Sequence, residues 1–269
     1  MGWTEAQRDP APSEALHFNV VLRKNLSAGS EQGDGIGTLG QKRMHAIWKD
    51  YYCSDRSCQE IRVEPKTGKG RYIADVLSGD TVTEVQTGSL SSLRNKIDWY
   101  LTMTDYKIRV VHPIVPIRWV HWIEPDTGKI GPKRRSPKKE GIDQIVRELY
   151  WMIPHLDEER ISFVFPMVET EDFKLRNGWG KDKKRGAERY ERIPVQLLSF
   201  VNYEKPEDYL TLLPDGGLPE VFTAADLSRQ MRGTESITAY TILKILSRLG
   251  YLESAGTVGH SAAFRLTTQ

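Results

Sequence analysis

The sequence predicts an α/β fold, a mixed sheet flanked by helices, followed by a small helix-turn-helix tail that ends in a hairpin. Three observations carry this. "GTLGQKRMHAIWKDYY" and "SLSSLRNKIDWYL" place apolar residues at three-and-four spacing, the mark of helices with one buried side. Between them, residues 71–90, "RYIADVLSGDTVTEVQTGSL", read as two β-branched strands around a tight turn. The last 50 or so residues then change character, with "FTAADLSRQM" and "ESITAYTILKILSRLGYLES" as capped helices and "AGTVGHSAAFRL" as a glycine-containing hairpin, the order of a winged helix-turn-helix.

The elements follow in order. Residues 1–36 are rich in Ser, Gly, Pro and Asp and read as a loosely packed lead-in with one strand-like island, "HFNVVL". In the first helix Met44, Ile47, Trp48 and Tyr51 form the buried stripe. A strand "QEIRVEP", the "KTGKG" turn and the hairpin come next, and Ser89 caps the second helix, which buries Leu90, Leu93, Ile97 and Leu101. The run "YKIRVVHPIVP", a hairpin "IRWVHWIEPDTGKI" with a Pro-Asp-Thr-Gly turn, a basic loop, the helix "IDQIVRELYWMI" and the strand "RISFVFPMVE" complete the core. Residues 174–192 turn polar and basic and suggest a mobile surface arm. The expected domains are therefore 1–36, 37–205 and 206–269.

With 269 residues, 39% hydrophobic and 28% charged, the chain has the composition of an ordinary globular protein with a normal core. The formal net charge of +2 is too small to name a partner, so the distribution of charge has to decide. The sequence lacks a signal-peptide pattern and any apolar window long enough for a bilayer, so a cytoplasmic protein without membrane contact is expected. The two cysteines, Cys53 and Cys58, match neither a CxxC redox pair nor a zinc knuckle and are expected as reduced thiols. His112, His121, His155 and His260 are scattered without ligand spacing.

The hairpin carries the chemistry. If Gly79 and Asp80 are the central turn residues, Ser78 pairs with Thr81, Leu77 with Val82 and Val76 with Thr83, and Asp75 falls opposite Glu84. Opposed side chains have Cβ atoms about 4.5–5.5 Å apart, and like charges so placed repel. Ile73, Leu77 and Val82 should share that face and weaken screening by water. Either one carboxyl keeps its proton or a divalent cation sits between the two. Mg²⁺ is commonly held by one or two carboxylates plus waters and phosphates. Gln86, two residues past Glu84, points to the same side.

This order of elements, with Asp75 in "IADV" and Glu84-Val85-Gln86 in "TEVQTGS", resembles the PD-(D/E)XK nuclease superfamily with its restriction-endonuclease-like fold. The Glu-x-Gln variant followed by Thr resembles the branch of competence protein CoiA-like nucleases, and "MHAIWK" resembles their His-x-x-x-Lys helix element through His45 and Lys49. The chain also resembles a bacterial family of uncharacterised proteins that share this helix, the "EVQT" strand, the "SPKK" loop and the "LLP…FTAADL" segment.

The nuclease resemblance covers about residues 38–125. It implies that Asp75 and Glu84 bind Mg²⁺ or Mn²⁺ and that Asp75, Glu84, Gln86, His45 and Lys49 form the catalytic set. Gln86 replaces the usual Lys and brings no positive charge, and Gln41 replaces a Glu often found on the first helix. The spacing of Gln41, His45 and Lys49 forms one polar stripe that could face the metal. Arg94 and Lys96 are weaker candidates for the displaced charge, a solvated helix face being the simpler reading.

Nucleic-acid contacts are expected from Lys133, Arg134, Arg135, Lys138 and Lys139 in "GPKRRSPKKEG" and from Lys183, Lys184 and Arg185 in "KDKKRG". In the tail they are expected from Ser236, Thr238 and Tyr240 near the start of the longer helix, with Lys244 and Arg265. The function expected is metal-dependent hydrolysis of phosphodiester bonds in DNA, double-stranded or branched, with RNA not excluded and a homodimer left open. The alternative is a catalytically inactive nuclease-fold DNA-binding protein or transcriptional regulator.

Overall fold

A computed structural model of the chain describes residues 7–31, 40–68, 70–178, 188–231 and 233–267. A short strand β1 (Gln7–Arg8) leads into α1 (Pro12–Glu31), α2 (Gly40–Tyr52), β2 (Gln59–Val63), β3 (Tyr72–Ser78) and β4 (Thr81–Val85). A 3₁₀ turn (Leu90–Leu93), α3 (Arg94–Met103), β5 (Lys107–Val111), β6 (Ile114–Ile123), β7 (Arg134–Arg135), α4 (Ile142–Met152), β8 (Ile161–Leu175) and β9 (Glu188–Tyr203) follow. The tail holds β10 (Phe222–Thr223), α5 (Ala224–Gln230), α6 (Ser236–Arg248), β11 (Leu252–Val258) and β12 (Ser261–Leu266).

The fold is mixed α/β. Among the described residues the larger sheet has nine strands, in the order β1-β9-β8-β5-β4-β3-β2, with β6 between β7 and β8. β4, β5 and β8 are parallel, whereas β2, β3 and β4 form an antiparallel meander. β5 and β6 lie end to end along β8, broken at His112 and Pro113, so the sheet continues past the end of β4 as a narrower arm.

Helices cover both faces. α1 and α2 bury Phe18, Val21, Ile47 and Trp48 against Val85, Val111 and Phe200. On the other face α3, α4 and α6 bury Ile97, Leu149 and Ile242 in one cluster with Val82, Val110 and Phe163. Trp48 is fully buried, with ring centroids 5.6 Å from Phe18 and 5.2 Å from Tyr51. Trp48→Ala is therefore expected to cost about 3–5 kcal/mol in urea unfolding, because the neighbouring rings cannot collapse into the space left.

Several expectations are corrected. The lead-in is not loose: "HFNVVL" lies inside α1, where Phe18, Val21 and Leu22 sit at helical spacing and dock on α2 and β9. The polar arm at 174–192 is strand at both ends, since β8 runs to Leu175 and β9 starts at Glu188. Cys53 and Cys58 are joined in a disulfide with Cα atoms 6.6 Å apart, within bridging range, and are not free thiols. Ile73 is 57% exposed rather than covering the acids. Among the described residues no helix is long and apolar enough to cross a membrane.

Candidate active site

The β3–β4 hairpin has the register that its turn demands. Gly79 takes a positive φ of 59°, and Ser78 pairs with Thr81, Leu77 with Val82 and Val76 with Thr83. The ladder then stops. At the next position Asp75 bends out of the pairing, and its Oδ2 accepts the Val85 N–H at 2.8 Å. The same oxygen lies 3.1 Å from His45 Nε2 on α2. Glu84 points to the α3 face, where Lys96 Nζ donates to Oε2 at 2.5 Å and the Tyr100 hydroxyl to Oε1 at 2.8 Å.

Lys96 and Tyr100 are one helical turn apart on α3, so both reach the same carboxylate. The Glu84 side chain is 1% exposed, and that of Asp75 is 20% exposed. The site thus opens at Asp75 and His45, with Glu84 behind the Lys96 ammonium. The solvated helix face expected for Lys96 is overturned, because the inward turn of α3 at Ile97 and Tyr100 brings it to Glu84.

The environments drive the two carboxyls apart. Burial pushes Glu84 up to about 7, against the opposing charge of Lys96 and with the Asp75 charge adding to the rise. Burial also raises Asp75, but the His45 hydrogen bond and charge, the Val85 N–H and the Lys96 charge outweigh it and hold Asp75 below its ordinary value. Burial together with the neighbouring Glu84 pushes the Tyr100 hydroxyl far up, so it stays a donor.

Two expected site residues sit elsewhere. The Gln86 amide donates to the Ser89 carbonyl at 2.8 Å and to Ser92 Oγ, tying β4 to the 3₁₀ turn instead of reaching into the site. Lys49 is mostly buried and donates to Glu60 Oε1 at 2.8 Å. Glu60, on β2 beside Asp75, was not singled out from the sequence; its only signal there was an acid at the start of a strand. His45 is half-buried, and the Gln41 side chain lies outside the described residues. The 3₁₀ turn before α3 is held by Glu148 of α4, whose Oε2 accepts the Leu90 N–H at 2.7 Å.

The basic loop is in place. Arg134 and Arg135 form β7, and with Lys138 and Lys139 they are exposed and make no ion pair among the described residues, whereas Lys133 pairs with Glu171 at 2.9 Å. Lys183, Lys184 and Arg185 lie outside the described residues.

In the tail, Ser236 and Tyr240 are exposed. Thr238 is not available as a base contact: it is buried and donates to Asp143 of α4, because α6 docks on α4 along that side. Lys244 lies over the Tyr150 ring at 4.8 Å, and Arg265 pairs with Glu253 at 2.5 Å. A cavity of about 510 Å³ separates α6 from β12, lined by Tyr240, Lys244, Ser247, His260 and Ser261 among others.

Residues 42–204, more than half of the chain, match the Domain of unknown function (DUF8091). The chain belongs to the DUF8091 family. The DUF8091 region therefore contains the whole β3–β4 hairpin, α3 and the basic loop. An uncharacterized protein of Treponema pallidum (strain Nichols) is 26% identical over 236 residues, 86% of this chain and 87% of the relative. No solved structure matches the chain.

Proposed function

We propose that this chain is a metal-dependent nuclease that hydrolyses phosphodiester bonds in DNA. The observation that carries the reading is Lys96, which lies on Glu84 and acts on Asp75 electrostatically, so that the Asp, Glu and Lys set missing from the linear motif is assembled in space. The residues fit a hard divalent ion, since two carboxylates suffice for Mg²⁺ or Mn²⁺ when waters and substrate phosphate complete the shell. Among the described residues no group of three or more His, Cys, Asp or Glu is arranged as a preformed cage. Asp75 and Glu84 would hold the ion, which supplies charge on the scissile phosphate and lowers the pKa of a bound water.

The chain's own residues do the rest. Lys96, which donates to Glu84 Oε2, would supply an ammonium that steadies negative charge on the reacting phosphate. His45 keeps Asp75 ionised and aimed. Arg134, Arg135, Lys138 and Lys139 supply backbone contacts. The tail supports a winged helix-turn-helix through its β10-β12-β11 sheet beside α5 and α6, with Tyr240 and Lys244 as the part of α6 left for substrate. The strand order and the helices on both faces support a restriction-endonuclease-like core.

A second reading, a non-cleaving DNA-binding protein, is favoured by one fact: both Glu84 oxygens are already engaged inside the protein. Plasmid DNA with Mn²⁺ separates the two. The nuclease nicks the plasmid, and Asp75→Asn stops it without weakening salt-sensitive binding. Equal binding by both proteins, with no cleavage and no Mn²⁺ heat in calorimetry, overturns the nuclease and leaves the binder.

A further inference from the structure

The only two cysteines of the chain lie between the two elements that flank Asp75. Cys53 follows α2, which carries His45 and Lys49, and Cys58 precedes β2, which carries Glu60. Their disulfide closes a short loop whose inside is tightly bonded: Asp55 accepts the Ser57 N–H at 2.8 Å, and the Gln59 amide donates to the Cys53 carbonyl at 2.6 Å and to buried Asp50 at 2.8 Å. Two residues past Cys58, Glu60 has a φ of +54°, the only positive value at a non-glycine residue among those described. A side chain at that φ is strained and persists only where its surroundings impose it.

The contacts next to it are the closed loop on one side and, on the other, the Lys49 ammonium at the Glu60 carboxylate, whose side chain is 71% exposed, so the loop is the stronger restraint. In register, Glu60 faces Asp75 between the pairs Gln59–Val76 and Ile61–Ala74. Glu60 thus stands next to Asp75 on the neighbouring strand, and its charge interacts with those of Asp75 and His45.

We propose that Cys53 and Cys58 form a reversible redox site whose closure fixes Glu60 beside Asp75 and so tunes the affinity of that site for a divalent cation. The oxidant is a low-molecular-weight disulfide of the glutathione type. One cysteine thiolate attacks it, releasing one small thiol and forming a mixed disulfide. The second cysteine attacks that bond and releases the other, so the protein loses two electrons and two protons and the reagent becomes two thiols. Opening by a dithiol reverses each step. The open loop lets Glu60 leave the left-handed conformation and moves its charge away from Asp75. The tuning rests on the metal-site reading above, whereas the redox site does not.

The test uses the full chain, closed with oxidised glutathione or opened with dithiothreitol, each removed before measurement. Thiols are counted by iodoacetamide alkylation and intact mass, amide exchange is followed across residues 59–63, and Mn²⁺ affinity is measured by calorimetry. Expected are two thiols in the open form and none in the closed, exchange about tenfold faster when open, and Mn²⁺ binding at least about fivefold weaker when open. The difference in affinity should vanish in Cys53→Ser/Cys58→Ser. In Glu60→Gln it should also vanish although the disulfide still closes.

Failure of oxidised glutathione to close the pair, unchanged exchange, or equal Mn²⁺ affinity in the two forms overturns the proposal. Interconversion with altered exchange but no Mn²⁺ binding in either form upholds the redox site and overturns the metal-site reading instead.

Discussion

Glu84→Gln is expected to abolish Mn²⁺-dependent cleavage and, in the same protein without metal, to raise stability at pH 8 by roughly 2 kcal/mol. The first effect follows from losing a carboxylate that a hard cation requires. The second follows from linkage. Glu84 titrates near 7 when folded and near 4.5 when unfolded, so between those values the folded chain holds a proton that the unfolded chain has released. Its contribution to stability is complete below pH 4.5 and is lost as pH rises through 7. Glutamine keeps an acceptor for the Tyr100 hydroxyl and carries no charge to desolvate. The partly exposed Lys96 can then turn to water, which is why the gain is set below the full shift of about 3 kcal/mol. Urea unfolding in EDTA at pH 8 and pH 5 reads the effect, and the gap between variant and wild type should narrow at the lower pH. A variant less stable than wild type at pH 8 would show that the carboxylate is held for structure.

The second large effect distinguishes the Lys96 ammonium from the Gln86 amide. Lys96→Met keeps the aliphatic stem and removes the ammonium, and single-turnover cleavage should fall by about 10²–10³, the loss typical of removing one preorganised charge stabiliser. Gln86→Ala should cost less than about tenfold, since that amide braces the 3₁₀ turn through Ser89 and Ser92 and does not face Glu84. Both variants should still bind DNA, because the exposed cations of the basic loop are untouched. If Gln86→Ala proves the more damaging, Lys96 is a structural counter-ion and the Gln86 amide has the larger part in the reaction.

How much was legible depended on whether a local signal fixed the geometry. The Gly79–Asp80 turn fixes the hairpin register through backbone conformation alone, so three pairs follow from the letters, whereas the expected pair of Asp75 with Glu84 does not form because Asp75 turns to the Val85 N–H. α2 and α6 announce themselves by apolar spacing. α1 does not, because an aromatic and β-branched run among Ser, Gly and Pro reads as strand until α2 and β9 offer its Phe18 side a surface. Lys96 was ambiguous for a different reason: a lysine beside buried Ile97 looks like a solvated helix flank, and only the packing of α3 on the sheet brings it to Glu84. Glu60, the disulfide and the Asp143 contact of Thr238 likewise depend on where distant segments meet, which no local pattern encodes.

The cluster that runs from Val82 through Leu149 to Ile242 has a consequence for how the tail relates to the rest. Chain order changes character near residue 205, but the interior does not divide there: α4 lends one side to the sheet and the other to α6. Melting the last helix removes the cover that α6 gives α4, and loosening α4 releases the Glu148 clasp on the 3₁₀ turn that leads into α3 and Lys96. Cooperativity in this chain therefore crosses the apparent seam, and the integrity of the C-terminus is felt at the carboxylates.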